Sequence, residues 1–116
     1  MKNIMIHMIY VEDWLLSSAI FGRGRNYREK NFESFQDMSA VLSYLDKVEV
    51  VTRAYLKNVS EHELRRKVKL QFSPQGAAYD MSVEECLYQS ITEQLYHLGE
   101  LIALLQSCNL QVSTFD

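Results

Sequence analysis

The sequence predicts an all-α, up-and-down helical bundle that forms a single domain over residues 1–116. Three long segments repeat apolar residues at intervals of three and four, which is the spacing of amphipathic helices. Two predicted helices are preceded by capping boxes, in which a serine is followed three residues later by a glutamate. A chain of 116 residues is long enough to bury one hydrophobic core and has little length to spare.

The first predicted helix begins at or very near residue 1 and ends over residues 21–24, because glycine readily takes the left-handed conformation that closes helices. Its apolar stripe consists of Ile4, His7/Met8, Val11, Trp14/Leu15 and Ser18/Ala19. Residues 23–37 are polar, basic and aromatic, and they predict a long loop. A second helix runs from about Met38 to about Asn58, and the capping box that starts at Ser60 predicts a short extra turn after it.

A short extended segment is predicted between the second and the last long helix. Val68, Leu70 and Phe72 alternate with polar residues, which is the pattern of a strand. Turn-forming residues follow over 73–76, so residues 67–80 predict a small hairpin or an extended excursion.

The last predicted helix has the clearest start, at a second capping box that begins at Ser82. It runs to about Ser107, and residues 109–116 are predicted to form a coil over the surface. Its apolar stripe consists of Leu87, Ile91, Leu95, Leu98, Ile102 and Leu105.

Composition and charge narrow the classes of function. The formal net charge is −3, so no basic field favours nucleic acid or an anionic membrane surface. No apolar run approaches the roughly 20 residues that cross a bilayer, and the first residues are too polar for a signal peptide. Cys86 and Cys108 lie about six turns apart on one predicted helix and cannot pair with each other. These features predict a reduced, cytoplasmic protein.

The pair Glu93 and His97 is the strongest candidate for a functional site. Four residues separate them, so on a helix both side chains lie on one face, one turn apart, where they can hold one metal ion. His7, on the first helix, is the histidine best placed to supply a third ligand. Two imidazoles and a carboxylate suit zinc with an open position, and also Fe(II) or nickel. Spacing alone leaves a simpler interpretation open. Glu93 and His97 would then be a solvated surface pair, and His7 would be a histidine of the core.

Other candidate residues have simpler interpretations. The basic segment 23–30 could attract an anionic ligand, although a solvated loop also accounts for it. His62 lies in a charged capping turn, where exposure is expected, and Cys86 is interpreted first as a small core residue. The sequence contains no glycine-rich phosphate loop and no CxxC pair.

The segment 93–100 resembles the late-helix motif of the DinB-like superfamily, which includes bacterial thiol-dependent S-transferases. That motif has two histidines four residues apart, followed by arginine, glycine and glutamine. His97 and Gly99 match it, whereas Glu93 stands in place of the other histidine, Leu98 in place of the arginine and Glu100 in place of the glutamine.

The first helix resembles an earlier helix of the same superfamily. That helix often carries a histidine, a glutamate five residues later and then an aromatic–aliphatic pair, which here are His7, Glu12 and Trp14–Leu15. The resemblance covers nearly the whole chain and implies a DinB-type four-helix bundle whose first helix is absent. It also implies a divalent ion (zinc, nickel, iron or manganese) held by His7, Glu93 and His97.

Two functions follow from the resemblance. One is a metal-dependent enzyme, either a hydrolase or a transferase that moves a low-molecular-weight thiol onto an electrophilic compound; no further catalytic residue is assigned. The alternative is a non-enzymatic dimeric helical module, serving in a stress response or in interaction, with a degenerate metal site. An apolar trough where the fourth helix belongs predicts a homodimer, in which helices of one chain cover the trough of the other.

Overall fold

A computed structural model of the chain describes residues 1–23, 28, 30–71 and 75–109. This described part is mostly helical, with four α-helices and one two-stranded antiparallel sheet. The elements in chain order are α1 (Lys2–Trp14), a π-helix (Leu15–Ile20), a 3-10 turn (Phe32–Ser34), α2 (Met38–Lys57), α3 (Glu61–Arg65), β1 (Lys67–Leu70), β2 (Tyr79–Ser82) and α4 (Val83–Ser107). Three long helices and a hairpin confirm the coarse prediction. Among the described residues, each helix is either too short or too polar to span a lipid bilayer.

Helix α1 packs against both α2 and α4 and supplies many of the buried side chains. Its Trp14, only 1% exposed, belongs to a cluster that includes the π-helix, strand β1 and the first turn of α4. A second cluster joins Ile6 and Ile9 of α1 to Val41 and Val48 of α2. Because two helices cover α1, its buried face differs in part from the predicted stripe. Ile6, Ile9 and Tyr10 are buried, whereas the predicted Ile4, His7 and Met8 are only half-buried.

The first helix changes from α-helical to π-helical geometry over Leu15–Ile20. The Phe21 N–H donates to the Leu16 carbonyl 2.8 Å away, which is the wider i to i+5 bond of a π-helix. Every residue of this segment except Ser18 is buried, so it has no polar face. Gly22 follows with a φ of 68°, and this left-handed residue confirms the predicted glycine stop.

Side-chain caps fix where the later helices begin. Ser60 accepts a hydrogen bond from the Glu63 N–H 3.0 Å away. Ser82 accepts one from the Glu85 N–H at 3.1 Å. Both predicted capping boxes are therefore confirmed at the serine, and α2 starts at a further cap provided by Asp37.

Strands β1 and β2 form the predicted hairpin. Val68 pairs with Met81 and Leu70 with Tyr79 in antiparallel register. Val68 and Leu70 are buried while the neighbouring lysines are exposed, as the alternation in the sequence predicts. Phe72 and part of the predicted turn lie outside the described residues, as do part of the predicted 23–37 loop and all of the tail after residue 109.

Helix α4 turns part of its predicted apolar stripe outward. Ile91 is 55% exposed and Leu95 is 64% exposed, whereas Cys86 is fully buried. A polar contact accompanies this rotation: the Gln94 Nε2 donates to the Met8 carbonyl of α1, 2.8 Å away. In the middle turns of α4, polar groups therefore lie on the side that faces α1, whereas part of the predicted apolar stripe faces outward.

A polar cluster of Tyr55, Glu63 and Arg66 ties α2 and α3 to the π-helix. The Tyr55 hydroxyl donates to Glu63, and Arg66 donates to both Glu63 carboxylate oxygens at 2.7 and 3.1 Å. Arg66 also donates to the Ile20 carbonyl at 2.7 Å. The hydrogen bonds from Arg66 and Tyr55 lower the pKa of Glu63 to about 2, while burial and the bond to Glu63 raise the pKa of Tyr55.

Replacing Glu63 with glutamine should remove a part of the stability that depends on pH. The pKa of Glu63 falls from 4.5 to about 2 on folding. Its carboxylate therefore stabilises the fold above about pH 4.5, and this contribution is lost as the pH falls towards 2. The cluster is partly exposed, so water screens it, and we expect about 1 kcal/mol. Urea unfolding should show a larger difference between wild type and Glu63→Gln at pH 7 than at pH 3; equal differences would contradict this account.

Candidate metal centre

Helices α1 and α4 bring His7, Glu93 and His97 together. One ligand atom from each of the three side chains lies within 4.8 Å of the others, and all three residues are partly buried. On α4, the His97 Nε2 is 3.3 Å from a carboxylate oxygen of Glu93, one turn away. On α1, the His7 ring centroid is 4.6 Å from that of His97, with the two planes at 80°.

The contact between Gln94 and Met8 holds the two helices in the register that the cluster needs. Gln94 lies next to Glu93 in sequence, and Met8 lies next to His7. The hydrogen bond from the Gln94 side chain to the Met8 carbonyl spans 2.8 Å between residues 86 positions apart. Because it uses a backbone carbonyl of α1, this bond restrains both the sliding and the rotation of α4 beside His7.

Glu100 completes the surroundings of His97. Its carboxylate oxygen is 2.5 Å from His97 Nδ1, on the other side of the ring from Glu93. When Nδ1 donates its proton to Glu100, Nε2 keeps its lone pair on the side of Glu93, where a metal would lie. In the sequence, Glu100 is identified only as the residue that replaces the glutamine of the motif. The signal that could have found it is its spacing of three residues from His97.

An open cavity of about 240 Å³ adjoins the two histidines. Besides His7, His97 and Glu100, it is lined by Asn3 and Ile4 of α1 and by Phe32 of the 3-10 turn. Its walls thus combine an aliphatic side chain, an aromatic side chain and an amide beside the cluster. A small molecule in this cavity would contact both imidazoles.

The donor set fits a divalent ion by its chemistry and its spacing. Ligand atoms at about 2.0–2.2 Å from a tetrahedral ion lie roughly 3.3–3.6 Å apart. The pair His97 and Glu93, at 3.3 Å, already has this separation. The whole set lies within 4.8 Å, so side-chain movements on the order of 1 Å complete it. Two nearby carboxylates, Glu93 and Glu100, favour a cation at this position.

The other side chains considered lie away from this cluster. His62 is exposed on the short helix α3, as predicted. Cys86 is fully buried in the core, and burial raises the pKa of its thiol, which disfavours the reactive thiolate. Asp13 of α1 accepts a hydrogen bond from the Tyr44 hydroxyl at 2.8 Å and so ties α1 to α2.

No model of a known family matches the chain, and no curated protein matches it. The resemblance to the DinB-like superfamily therefore stays a prediction. Functional proposals depend on the geometry of His7, Glu93 and His97.

Proposed function

We propose that this chain is a DinB-like metal-binding protein in which His7, Glu93 and His97 hold one divalent ion. The observation that supports this proposal best is the convergence of the three side chains. They come from two helices at opposite ends of the described chain, yet their ligand atoms lie within 4.8 Å of one another. A solvated surface pair on α4 alone would not need a histidine from α1 beside it.

The ligand types decide which ions suit the site. Two imidazoles and one carboxylate favour zinc, nickel or iron, and manganese is accepted more weakly because it prefers oxygen ligands. Three protein ligands leave at least one position open. The cavity beside His7 and His97 gives a substrate access to that position.

The chemistry we propose is activation of water for hydrolysis, or of a low-molecular-weight thiol for transfer to an electrophilic compound. A divalent ion, when bound, supplies a nucleophile near neutral pH by lowering the pKa of a water or thiol. Glu100 orients His97 through its Nδ1. Ile4 and Phe32 offer apolar contact to the substrate, and Asn3 offers an amide that can donate or accept hydrogen bonds.

A second candidate function is a non-enzymatic dimeric module that serves in interaction or in a stress response. The exposed apolar residues of α4 favour it, because Ile91 and Leu95 are each more than half exposed and lie one turn apart. In this alternative the metal site is degenerate. Metal content separates the two functions, since only the enzyme needs an occupied site with an open position.

The proposal is tested by metal titration of protein purified without a histidine tag and stripped of metal. We expect one zinc or nickel ion per chain, measured by calorimetry and by elemental analysis of the dialysed protein. His62→Ala is the matched control, because it removes an exposed histidine far along the chain and should leave the stoichiometry unchanged. Protein that takes up no metal, even with excess zinc or nickel, would rule out the site.

A further inference from the structure

The 3-10 turn Phe32–Ser34 contributes one wall of the cavity beside the two histidines. Phe32 lines this cavity together with Ile4 of α1. It is half-buried rather than fully enclosed, so a molecule in the cavity can contact it. The proposed metal ligands His7 and His97 line the same cavity. A molecule bound at the open position of the metal therefore lies close to an aromatic side chain.

Contacts with the start of α1 and with the core hold this turn in place. The Lys2 Nζ donates to the Phe35 carbonyl, directly after the turn, at 2.7 Å. The Asn31 side chain accepts a hydrogen bond from the Glu33 N–H at 3.0 Å and so caps the turn. Phe32 itself packs against the core cluster that joins α1 and α2. A side chain restrained in this way is preorganised, so little of its freedom is lost when a ligand binds.

The size and the lining of the cavity indicate the class of ligand. Its volume of about 240 Å³ is below the range of roughly 300–1,000 Å³ that holds drug-sized ligands, so an occupant would be small. An aromatic side chain favours apolar and aromatic groups, which stack offset or edge-to-face against it. Ile4 adds a second apolar side chain to the lining. A small molecule with a flat apolar group near its metal-binding atom therefore fits better than a wholly polar one.

We propose that Phe32 is a specificity-determining residue of the metal centre. This inference rests on the proposed function, because it needs an ion held by His7, Glu93 and His97. Phe32 selects, among the molecules that can reach the open position of that ion, small compounds that carry one aromatic or flat apolar ring. The preferred substrate class is therefore a small aromatic compound.

The test compares imidazole with 4-phenylimidazole as ligands of the full chain loaded with cobalt(II). Both molecules bind metals through an imidazole nitrogen, and only the second carries the ring that Phe32 should contact. The visible absorption of the cobalt ion reports whether the open position is occupied. We expect 4-phenylimidazole to bind at least about 10-fold more tightly than imidazole, because its added ring buries apolar surface and stacks against Phe32.

Variants at Phe32 separate the role of its ring in binding from its role in folding. Phe32→Ala should lower the preference for 4-phenylimidazole to about 2-fold or less, and Phe32→Leu, which keeps more of the packing, should give an intermediate preference. The cobalt stoichiometry and the affinity for imidazole should not change in either variant. Phe21→Ala is the matched control, because Phe21 is 38% exposed and lies outside this cavity.

The outcomes distinguish this inference from the proposal of the metal centre. Equal binding of the two imidazoles by the cobalt-loaded wild type would overturn the role of Phe32 and leave the metal centre in place. A preference that is the same in wild type and in Phe32→Leu would do the same. Loss of imidazole binding in folded Phe32→Leu would show that Phe32 only supports the site. A wild-type chain that takes up no cobalt would overturn both proposals.

Discussion

Replacing His97 with alanine should abolish stoichiometric metal binding, with a loss of affinity greater than 100-fold. Loss of an outer hydrogen-bond partner of a metal ligand typically costs about 10- to 100-fold, and His97→Ala removes the ligand itself. It also removes the group that Glu100 orients and that lies 3.3 Å from Glu93. Competition with a chromophoric chelator measures the affinity directly, and His62→Ala should match the wild type.

Substitutions at Glu93 test whether its carboxylate is a ligand. Glu93→Ala should weaken binding strongly, whereas Glu93→His should preserve or tighten it, because an imidazole restores the three-histidine set that the resemblance implies. Glu100→Gln should have a smaller effect, about 10-fold, since it weakens only the partner of His97. Equal affinity in wild type and Glu93→Ala would show that Glu93 is only a surface carboxylate.

We expect the protein to form a homodimer through the outer face of α4, so that disrupting this face gives a monomer. Tyr88, Ile91 and Leu95 are 63%, 55% and 64% exposed, and their spacing of three and four places them on one stripe. Beside this stripe, an apolar groove of about 330 Å³ lies between α1, α2 and α4. Its apolar lining consists of Met5, Met8, Ile9, Leu45 and Leu101.

The length of this exposed surface supports a second copy of the chain as its occupant. From Tyr88 to Leu95 the exposed stripe extends about 10 Å along α4. The half-buried Leu98, Ile102 and Leu105 continue its line, and the groove adds apolar side chains of α1 and α2. Large contiguous apolar patches are rare on the surface of monomers. Each Å² buried contributes roughly 25 cal/mol before the cost of association is subtracted, so a two-fold contact along α4 is favourable.

Sedimentation equilibrium at micromolar concentration measures the assembly. We expect about twice the chain mass of 13.6 kDa for the wild type. Leu95→Glu should give a monomer, because two carboxylates would meet across the two-fold axis or lie buried in the groove. Gln89→Glu is the control, since Gln89 is exposed on the same helix away from the stripe. A wild-type monomer that does not bind a hydrophobic dye would show that the three long helices close the core by themselves.

The sequence predicts those parts of the fold that depend on local chemistry. The serine caps at Ser60 and Ser82, the glycine stop at Gly22 and the alternation around Val68 each act within a few residues. Such signals locate helices and strands without knowledge of their neighbours. The spacing of Glu93 and His97 is also a local signal, because one helical turn places their side chains on the same face of α4.

Contacts between helices that are distant in the sequence could not be predicted from such local signals. The meeting of His7 with His97 depends on how α1 and α4 slide past each other, and in the structure the Gln94 bond to Met8 restrains this register. The outward rotation of Ile91 on α4 has the same origin. Apolar periodicity shows which residues of a helix form a stripe, but it does not show whether another helix of the same chain packs against that stripe.

The π-helix at the end of α1 could not be predicted because its sequence is compatible with an ordinary helix. Residues 15–20 are apolar or small, so no change in the position of polar residues marks the altered geometry. Among the residues that the structure describes, the hydroxyl of Ser17 has no hydrogen-bond partner, and this follows from the packing of the π-helix.

X-ray absorption at the metal edge of the zinc-loaded protein tests the proposed metal centre most directly. The account predicts nitrogen and oxygen neighbours at about 2.0–2.1 Å and the outer scattering of two imidazole rings. In His7→Ala and in His97→Ala that outer scattering should fall to one ring or disappear with the metal. Zinc surrounded only by oxygen atoms, or a spectrum that neither histidine substitution changes, would contradict the assignment of the ion to His7, Glu93 and His97.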